Sequence, residues 1–87
     1  MAIELRKVDN YFGIWDGYNC TFVDPSAWQF NEEKVKEYLK EHPFPKDPDY
    51  SEQDLLNDIL NSTGSYIIPT KKRKTAEFIV ELIRAVI

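Results

Sequence analysis

The chain has 87 residues and a mass of 10.2 kDa, which is enough for one hydrophobic core but not for two, because an independent domain usually needs about 50 residues. Hydrophobic residues make up 43%, aromatic residues 14% and charged residues 30%, proportions that exclude a disordered or collagen-like chain. No apolar run approaches the ~18 residues of a membrane span, and residues 1–6 lack the features of a secretory signal. We therefore expect one soluble, cytoplasmic domain over residues 1–87.

Charge is distributed unevenly along the chain. Residues 31–64 contain four lysines against nine carboxylates, a net charge of −5, whereas residues 65–87 contain five cations against two carboxylates, a net charge of +3. The whole chain has a net charge of −4 and a pI near 4.9. Overall acidity disfavours a general binder of nucleic-acid phosphates, which needs many cationic contacts. A basic partner is the better match.

The N-terminal part of the chain is predicted to form strands. A short apolar alternation indicates a first strand, and residues 11–15 and 18–23 are rich in aromatic and β-branched types. Asp16 and Gly17 between them are typical of the two-residue turn of a hairpin. We therefore predict a hairpin centred on this dipeptide, with Cys20 as a small buried residue of its second strand.

The first helix is predicted from Asn31 to about residue 41, after a strand stop at residues 24–26. Asn is a favourable N-cap, and two glutamates follow in the first turn, where the helix dipole favours anions. His42 precedes Pro43, and the residue before a proline is disfavoured in the α region. The helix therefore ends at this point.

A stiff connector and a second helix follow. Residues 43–49 contain three prolines, which favour an extended, polyproline-like segment. Ser51 with Asp54 three residues later is a short version of the capping box. The second helix is therefore predicted to begin at Ser51 and to stop at residues 61–64, which include a glycine.

The C-terminal part is predicted to be one more strand and one more helix. Residues 65–68 form a short strand closed by Pro69, and the final helix starts at Thr70 or at Thr75, with apolar residues at intervals of three and four. The predicted fold is a small α+β domain. An antiparallel sheet, made of the N-terminal hairpin or a three-strand meander plus the later strand, packs against two or three helices.

The sequence contains no pattern typical of catalysis or metal binding. Cys20 is the only cysteine and His42 the only histidine, so they cannot supply the four ligands of a structural zinc site. Residues 47–58 imitate a calcium loop but have Glu52 where the sharp turn requires glycine. We predict no catalytic residue, no metal site and no cofactor, and hence a protein that is not an enzyme.

A basic cluster precedes or opens the last helix, and it consists of Lys71, Lys72, Arg73 and Lys74. Such a cluster is most simply a solvated turn. An alternative is single-stranded nucleic-acid binding, in which cations contact phosphates and aromatic rings stack on bases. The aromatic residues of the hairpin that would do this are Tyr11, Phe12, Trp15, Tyr18 and Phe22.

An acidic set with aromatic neighbours surrounds the start of the second helix. Carboxylates clustered without lysines between them destabilise the fold unless something compensates, and aromatic residues beside charges are typical of interface hot spots. We predict that this set binds a partner. Its members are Phe44, Asp47, Asp49, Tyr50, Glu52, Asp54 and Asp58.

The final helix is apolar over more than the ~100° stripe that a covering helix needs. Either the domain buries this helix nearly all round, or the surplus apolar surface meets another chain. The second alternative is favoured, and it predicts a weak homodimer through Phe78 and Leu82.

These patterns together favour a small, acidic, non-catalytic binding protein. It would recognise a basic protein surface as an inhibitor, an immunity protein, an antitoxin or a phage-encoded inhibitor does, with a nuclease or toxin as the partner. Two alternatives remain open. One is a nucleic-acid-binding module that uses residues 71–74 and the hairpin aromatics, and the other is a homo-oligomeric accessory subunit.

Overall fold

The structure, a computed structural model, describes residues 3–23, 30–61, 67–68 and 70–86. Within these ranges an antiparallel sheet packs against three helices, which confirms the predicted α+β class. The stop predicted at residues 24–26 and residues 62–64 of the stop predicted at 61–64 lie outside the described residues, as do residues 65, 66 and 69. The elements in chain order are β1 (Ile3–Val8), β2 (Tyr11–Asp16), β3 (Thr21–Phe22), α1 (Glu32–Glu41), α2 (Glu52–Asn61), β4 (Ile67–Ile68) and α3 (Arg73–Val86).

Strand β2 is the centre of the sheet. It pairs with β1 along its whole length, from Ile3 opposite Asp16 to Val8 opposite Tyr11. Its other edge is shared, because β3 pairs with its last two residues and β4 with Phe12 and its neighbour Gly13. The predicted meander of three strands and the later strand thus belong to one sheet.

The register assigns the side chains of the sheet to two faces, since directly paired residues share a face. We call the face that is packed into the core the inner face, and the opposite one the outer face. Apolar side chains of the inner face are Ile3, Leu5, Phe12, Ile14 and Ile68. Side chains of the outer face are Glu4, Arg6, Val8, Tyr11, Trp15, Phe22 and Ile67, with Gly13 between them.

The turn between β2 and β3 is longer than the sequence predicts. One carboxylate oxygen of Asp16 accepts hydrogen bonds from the backbone N–H groups of Tyr18, at 2.9 Å, and Asn19, at 3.4 Å, and the other accepts one from the Asn19 side chain at 2.7 Å. These bonds stabilise a four-residue turn over residues 17–20. The two-residue turn was therefore wrong, and so was the buried position of Cys20, which is exposed in the turn at a φ of 50°.

Both predicted helix starts are confirmed by their hydrogen bonds. The side chain of Asn31 accepts bonds from the backbone N–H groups of Glu33, at 2.9 Å, and Lys34, at 3.2 Å, and so caps α1. At the start of α2, the Asp54 N–H donates to the Ser51 hydroxyl at 3.1 Å, and the Ser51 N–H donates to the Asp54 carboxylate at 3.0 Å. This reciprocal pair is the predicted capping box.

Helix α3 covers the inner face of the sheet and packs against α1. It begins at Arg73, between the two predicted starts. Near its C-terminal end, the Arg84 guanidinium donates a 3.0 Å hydrogen bond to the backbone carbonyl of Ile3, which joins the last helix to the first strand. None of the helices in the described ranges is long and apolar enough to cross a membrane.

Candidate protein-binding surfaces

Asp47, the first carboxylate of the predicted acidic set, lies inside the protein. Its side chain is 0% exposed. One carboxylate oxygen accepts a 2.7 Å hydrogen bond from the Thr70 hydroxyl, and the other accepts a 3.0 Å bond from the backbone N–H of Asp49 and lies 3.8 Å from the ammonium of Lys72. The chain itself therefore uses this carboxylate to join the connector to the segment that enters α3.

The surroundings of Asp47 keep it ionised. Burial raises the pKa of its carboxyl group, but the hydrogen bonds from Thr70, the Asp49 N–H and Thr75, together with the charge of Lys72, outweigh burial and bring the pKa below its ordinary value. Thr75 lies in the first turn of α3. The anion thus stands at the N-terminal end of this helix, where the dipole favours it.

Three further members of the acidic set contact one another or the core. The Tyr50 side chain is 1% exposed, and its hydroxyl donates a 2.7 Å hydrogen bond to the half-buried Asp58 carboxylate. The ring of Phe44 packs edge-on against Phe78 at 5.3 Å and lies 6.3 Å from the ring of Tyr50. Tyr50 is therefore closed to a partner, Phe44 and Asp58 are half-buried and already in contact with other side chains, and the exposed carboxylates are the remaining members.

The remaining members form an exposed group, which we call the acidic face: Asp49, Glu52 and Asp54. No lysine or arginine occurs between residues 47 and 70. Among the described residues, no salt bridge reaches these three carboxylates, whereas both acids of α3 are paired and one of the four acids of α1, Glu32, pairs with Lys36 at 3.0 Å. Within the described chain the acidic face is therefore a negative surface without a paired cation, and the start of α2, through its dipole and the Ser51 N–H, stabilises Glu52 and Asp54.

The basic cluster is only partly free. Lys72 lies near Asp47, and Arg73 pairs with Glu77 at 2.8 Å along the helix. Lys71 and Lys74 are exposed and form no ion pair within the part of the chain that the structure describes. A surface depression brings the cluster beside one more cation, Lys46, and it is lined by Pro45, Lys46, Lys72, Arg73, Lys74 and Thr75.

The hairpin aromatics do not form one platform. Phe12 is only 7% exposed and belongs to the core, on the inner face. Tyr18 is 76% exposed in the turn. Tyr11, Trp15 and Phe22 share the outer face.

Contacts among side chains of the outer face fix two of these rings. Trp15 and Phe22 pack edge to face at 5.3 Å, and the Arg6 guanidinium lies 4.2 Å above the Trp15 ring while it pairs with Glu4 at 2.7 Å. Phe22 also lies directly over Gly13, where an added Cβ would be 2.7 Å from the Phe22 ring. The close approach at Gly13 was not predicted, although a glycine inside a strand often indicates one.

Two large hydrophobic side chains of the outer face remain exposed, Tyr11 at 43% and Ile67 at 37%. A depression of about 270 Å³ at this end of the sheet is lined by Tyr11, Asp49, Thr70 and Lys71. It connects the outer face with the acidic face. The exposure of Ile67 follows from strand register and was not predicted.

The residues proposed for a homodimer are mostly used inside the chain. Leu82 is 0% exposed, so its predicted surface position was wrong. Phe78 is half-buried between Tyr38, at a ring distance of 5.8 Å, and Phe44. The connector and α1 cover the apolar surface that seemed surplus in the sequence, because the stiff connector folds back over α3.

The described residues contain no group of three or more His, Cys, Asp or Glu side chains placed to hold a metal ion. Comparison of the chain with family models, with curated proteins and with solved structures gave no match. A functional assignment therefore depends on the surfaces described above.

Proposed function

We propose that this chain is a small non-catalytic protein that binds a basic surface of another protein, in the manner of an inhibitor, an immunity protein or an antitoxin. One observation carries the proposal. Asp49, Glu52 and Asp54 are exposed at the start of α2, and among the described residues no cation pairs with them.

Charge explains why such a surface fits a basic partner. Like charges close together repel, and this repulsion lowers the stability of the free protein. A partner with lysines or arginines relieves the repulsion and is attracted over a distance, so that complementarity increases the association rate and the specificity. The phosphate-binding surface of a nuclease or of a nucleic-acid-directed toxin has this basic character.

Single-stranded nucleic-acid binding is the second candidate function. It is favoured by the position of Lys46, which lies with Lys72, Arg73 and Lys74 around one depression. Against it, Phe12 is buried in the core, and Arg6 already covers the ring of Trp15. These contacts leave fewer rings for stacking than the sequence suggests.

The first experiment identifies the partner. The tagged full chain is used to capture proteins from lysates with and without nuclease treatment, and mass spectrometry identifies what is bound. We expect a basic protein that is captured in both lysates. Capture that disappears after nuclease treatment would favour the second candidate.

The second experiment tests the acidic face with two variants of equal charge. Asp49→Lys with Glu52→Lys reverses the acidic face, and Glu33→Lys with Glu37→Lys makes the same charge change on exposed positions of α1. Association rates with the captured partner are measured by stopped flow at several salt concentrations. We expect the first variant to associate at least about tenfold more slowly at low salt, and the second to lose much less. Equal effects of both variants would show that only net charge matters and would contradict a specific role of the acidic face in binding.

A further inference from the structure

Two of the three large hydrophobic side chains that are exposed in the described chain, Tyr11 and Ile67, lie on the outer face of the sheet. The third, Tyr18, lies in the turn between β2 and β3. Tyr11 and Ile67 lie on the outer face of adjacent strands, because Ile67 pairs with Gly13, two residues after Tyr11. They therefore form one patch rather than scattered side chains.

The core does not use this patch. Helix α3 lies on the inner face, and the core cluster of the described residues contains inner-face side chains such as Phe12, Ile14 and Ile68. Tyr11, Trp15 and Ile67 are not among the residues of this cluster or those packed against it. The outer face thus offers apolar contact area, with Trp15 already held in place by Arg6 and Phe22.

The patch is continuous with the acidic face. Tyr11 and Asp49 line the same depression of about 270 Å³. An aromatic ring beside an exposed carboxylate is the environment that an arginine or lysine side chain prefers, because the cation contacts the ring and pairs with the carboxylate. Lys71 balances the charge of Asp49 within the depression. The excess negative charge comes from Glu52 and Asp54, which follow Asp49 in the chain and are exposed, and this excess favours a basic occupant.

A second copy of this chain does not fit as the occupant. The outer face is three strands wide, at about 4.8 Å per strand, and six residues long, at about 3.4 Å per residue. Its area is therefore roughly 300 Å². A stable interface needs about 800 Å² on each partner. Two outer faces alone do not reach that area, whereas a partner that also covers the acidic face has a larger surface to contact.

We infer that the basic partner docks across the outer face of the sheet, with an arginine or lysine side chain between Tyr11 and Asp49 and an apolar side chain on Ile67. This inference rests on the proposed function and specifies where its apolar contacts lie. Lys71 lines the same depression. It opposes the entry of a cation, so its removal tightens binding of a basic partner and weakens binding of an anionic one.

The test uses the full chain and defined probes in NMR titrations. The probes are a hexapeptide of alternating arginine and leucine, its glutamate–leucine counterpart and a short oligothymidine strand. We expect the arginine–leucine peptide to shift the signals of Tyr11, Asp49 and Ile67. Tyr11→Thr, which keeps a strand-forming residue, should weaken its affinity about fivefold, and Lys71→Ala should strengthen it about twofold. Tyr18→Thr is the matched control in the turn and should change nothing.

The outcomes separate this inference from the proposed function. In one outcome the peptide binds, charge reversal of Asp49 and Glu52 abolishes binding, and Tyr11→Thr and a second variant, Ile67→Thr, bind like the parent. The partner then contacts the acidic face but not the outer face, so this inference fails and the proposed function remains. If the glutamate–leucine peptide binds equally well, both proposals fail. If oligothymidine binds more tightly than the peptide and Lys71→Ala weakens it, the surface is a nucleic-acid site and the inference is overturned.

Discussion

The hydroxyl of Thr70 donates a 2.7 Å hydrogen bond to the carboxylate of Asp47, which lies 23 residues earlier in the chain. Thr70 is itself only 2% exposed, and its hydroxyl oxygen accepts a 3.1 Å bond from the backbone N–H of Lys72. The connector is therefore attached to the start of α3 through a small buried polar network. Such networks are stabilising only when every member has a partner.

Replacing Asp47 should destabilise the fold. In Asp47→Ala the buried hydroxyl of Thr70 loses its acceptor, and we expect the free energy of unfolding to fall by about 2 kcal/mol. Urea denaturation followed by circular dichroism measures this. The exposed neighbour Asp49 is the control, because Asp49→Ala keeps its backbone N–H and should change stability by less than about 0.5 kcal/mol. Equal stabilities of the two variants would contradict the role of Asp47.

Acid should weaken the fold through the carboxyls of Asp47 and Asp16. For both, the folded-state pKa lies below the ordinary value; in Asp16 the hydrogen bond from the Asn19 side chain is the main cause. As the pH falls, these carboxyls therefore bind protons in the unfolded chain before they do so in the folded protein. Their contribution to stability is complete above about pH 4 and is lost as pH falls through the folded pKa values. We expect the unfolding free energy to decline below pH 4, and to decline less steeply in Asp47→Asn. An unchanged slope in that variant would contradict this prediction.

Local features of the fold could be predicted from the sequence because their partners lie within three residues. The caps at Asn31 and Ser51 are of this kind. The turn after Asp16 shows the limit, since the sequence indicated its position but not the bonds to Asn19 that lengthen it. The bond between Asp47 and Thr70 joins distant segments, and no local pattern indicates it.

The candidate surface was predictable only in part, for the same reason. The absence of cations near Glu52 could be predicted from the sequence. The burial of Asp47 and Tyr50 could not, because it depends on how the connector folds over α3. The outer face depends on register. Only the pairing of Ile67 with Gly13 shows that Ile67 lies on the same face as Tyr11 and Trp15.

Gly13 should tolerate no side chain while Phe22 is present. A Cβ at this position would lie 2.7 Å from the Phe22 ring and 3.1 Å from a methyl group of Val8. Phe22 cannot move freely, because it packs against Trp15. We expect Gly13→Ala to cost about 1–3 kcal/mol by overpacking.

A double-mutant cycle checks this cause. The cost of Gly13→Ala should fall by about half or more when Phe22 is already replaced by alanine, since contacting residues are energetically coupled. Both costs are measured by urea denaturation. Equal costs in the two backgrounds would show that the clash with Phe22 is not the reason.

Leu82 decides between the two alternatives for the final helix. Its side chain is 0% exposed within a single chain, so Leu82→Ala should lower the free energy of unfolding by about 3 kcal/mol through loss of burial and a residual cavity. Leu82→Glu places a charge in the core and should prevent folding. The exposed position Ala85 on the same helix is the control, and Ala85→Glu should fold like the parent. Circular dichroism and sedimentation of the three variants test this. A folded, more soluble Leu82→Glu chain would show that Leu82 lies at an interface and not in the core.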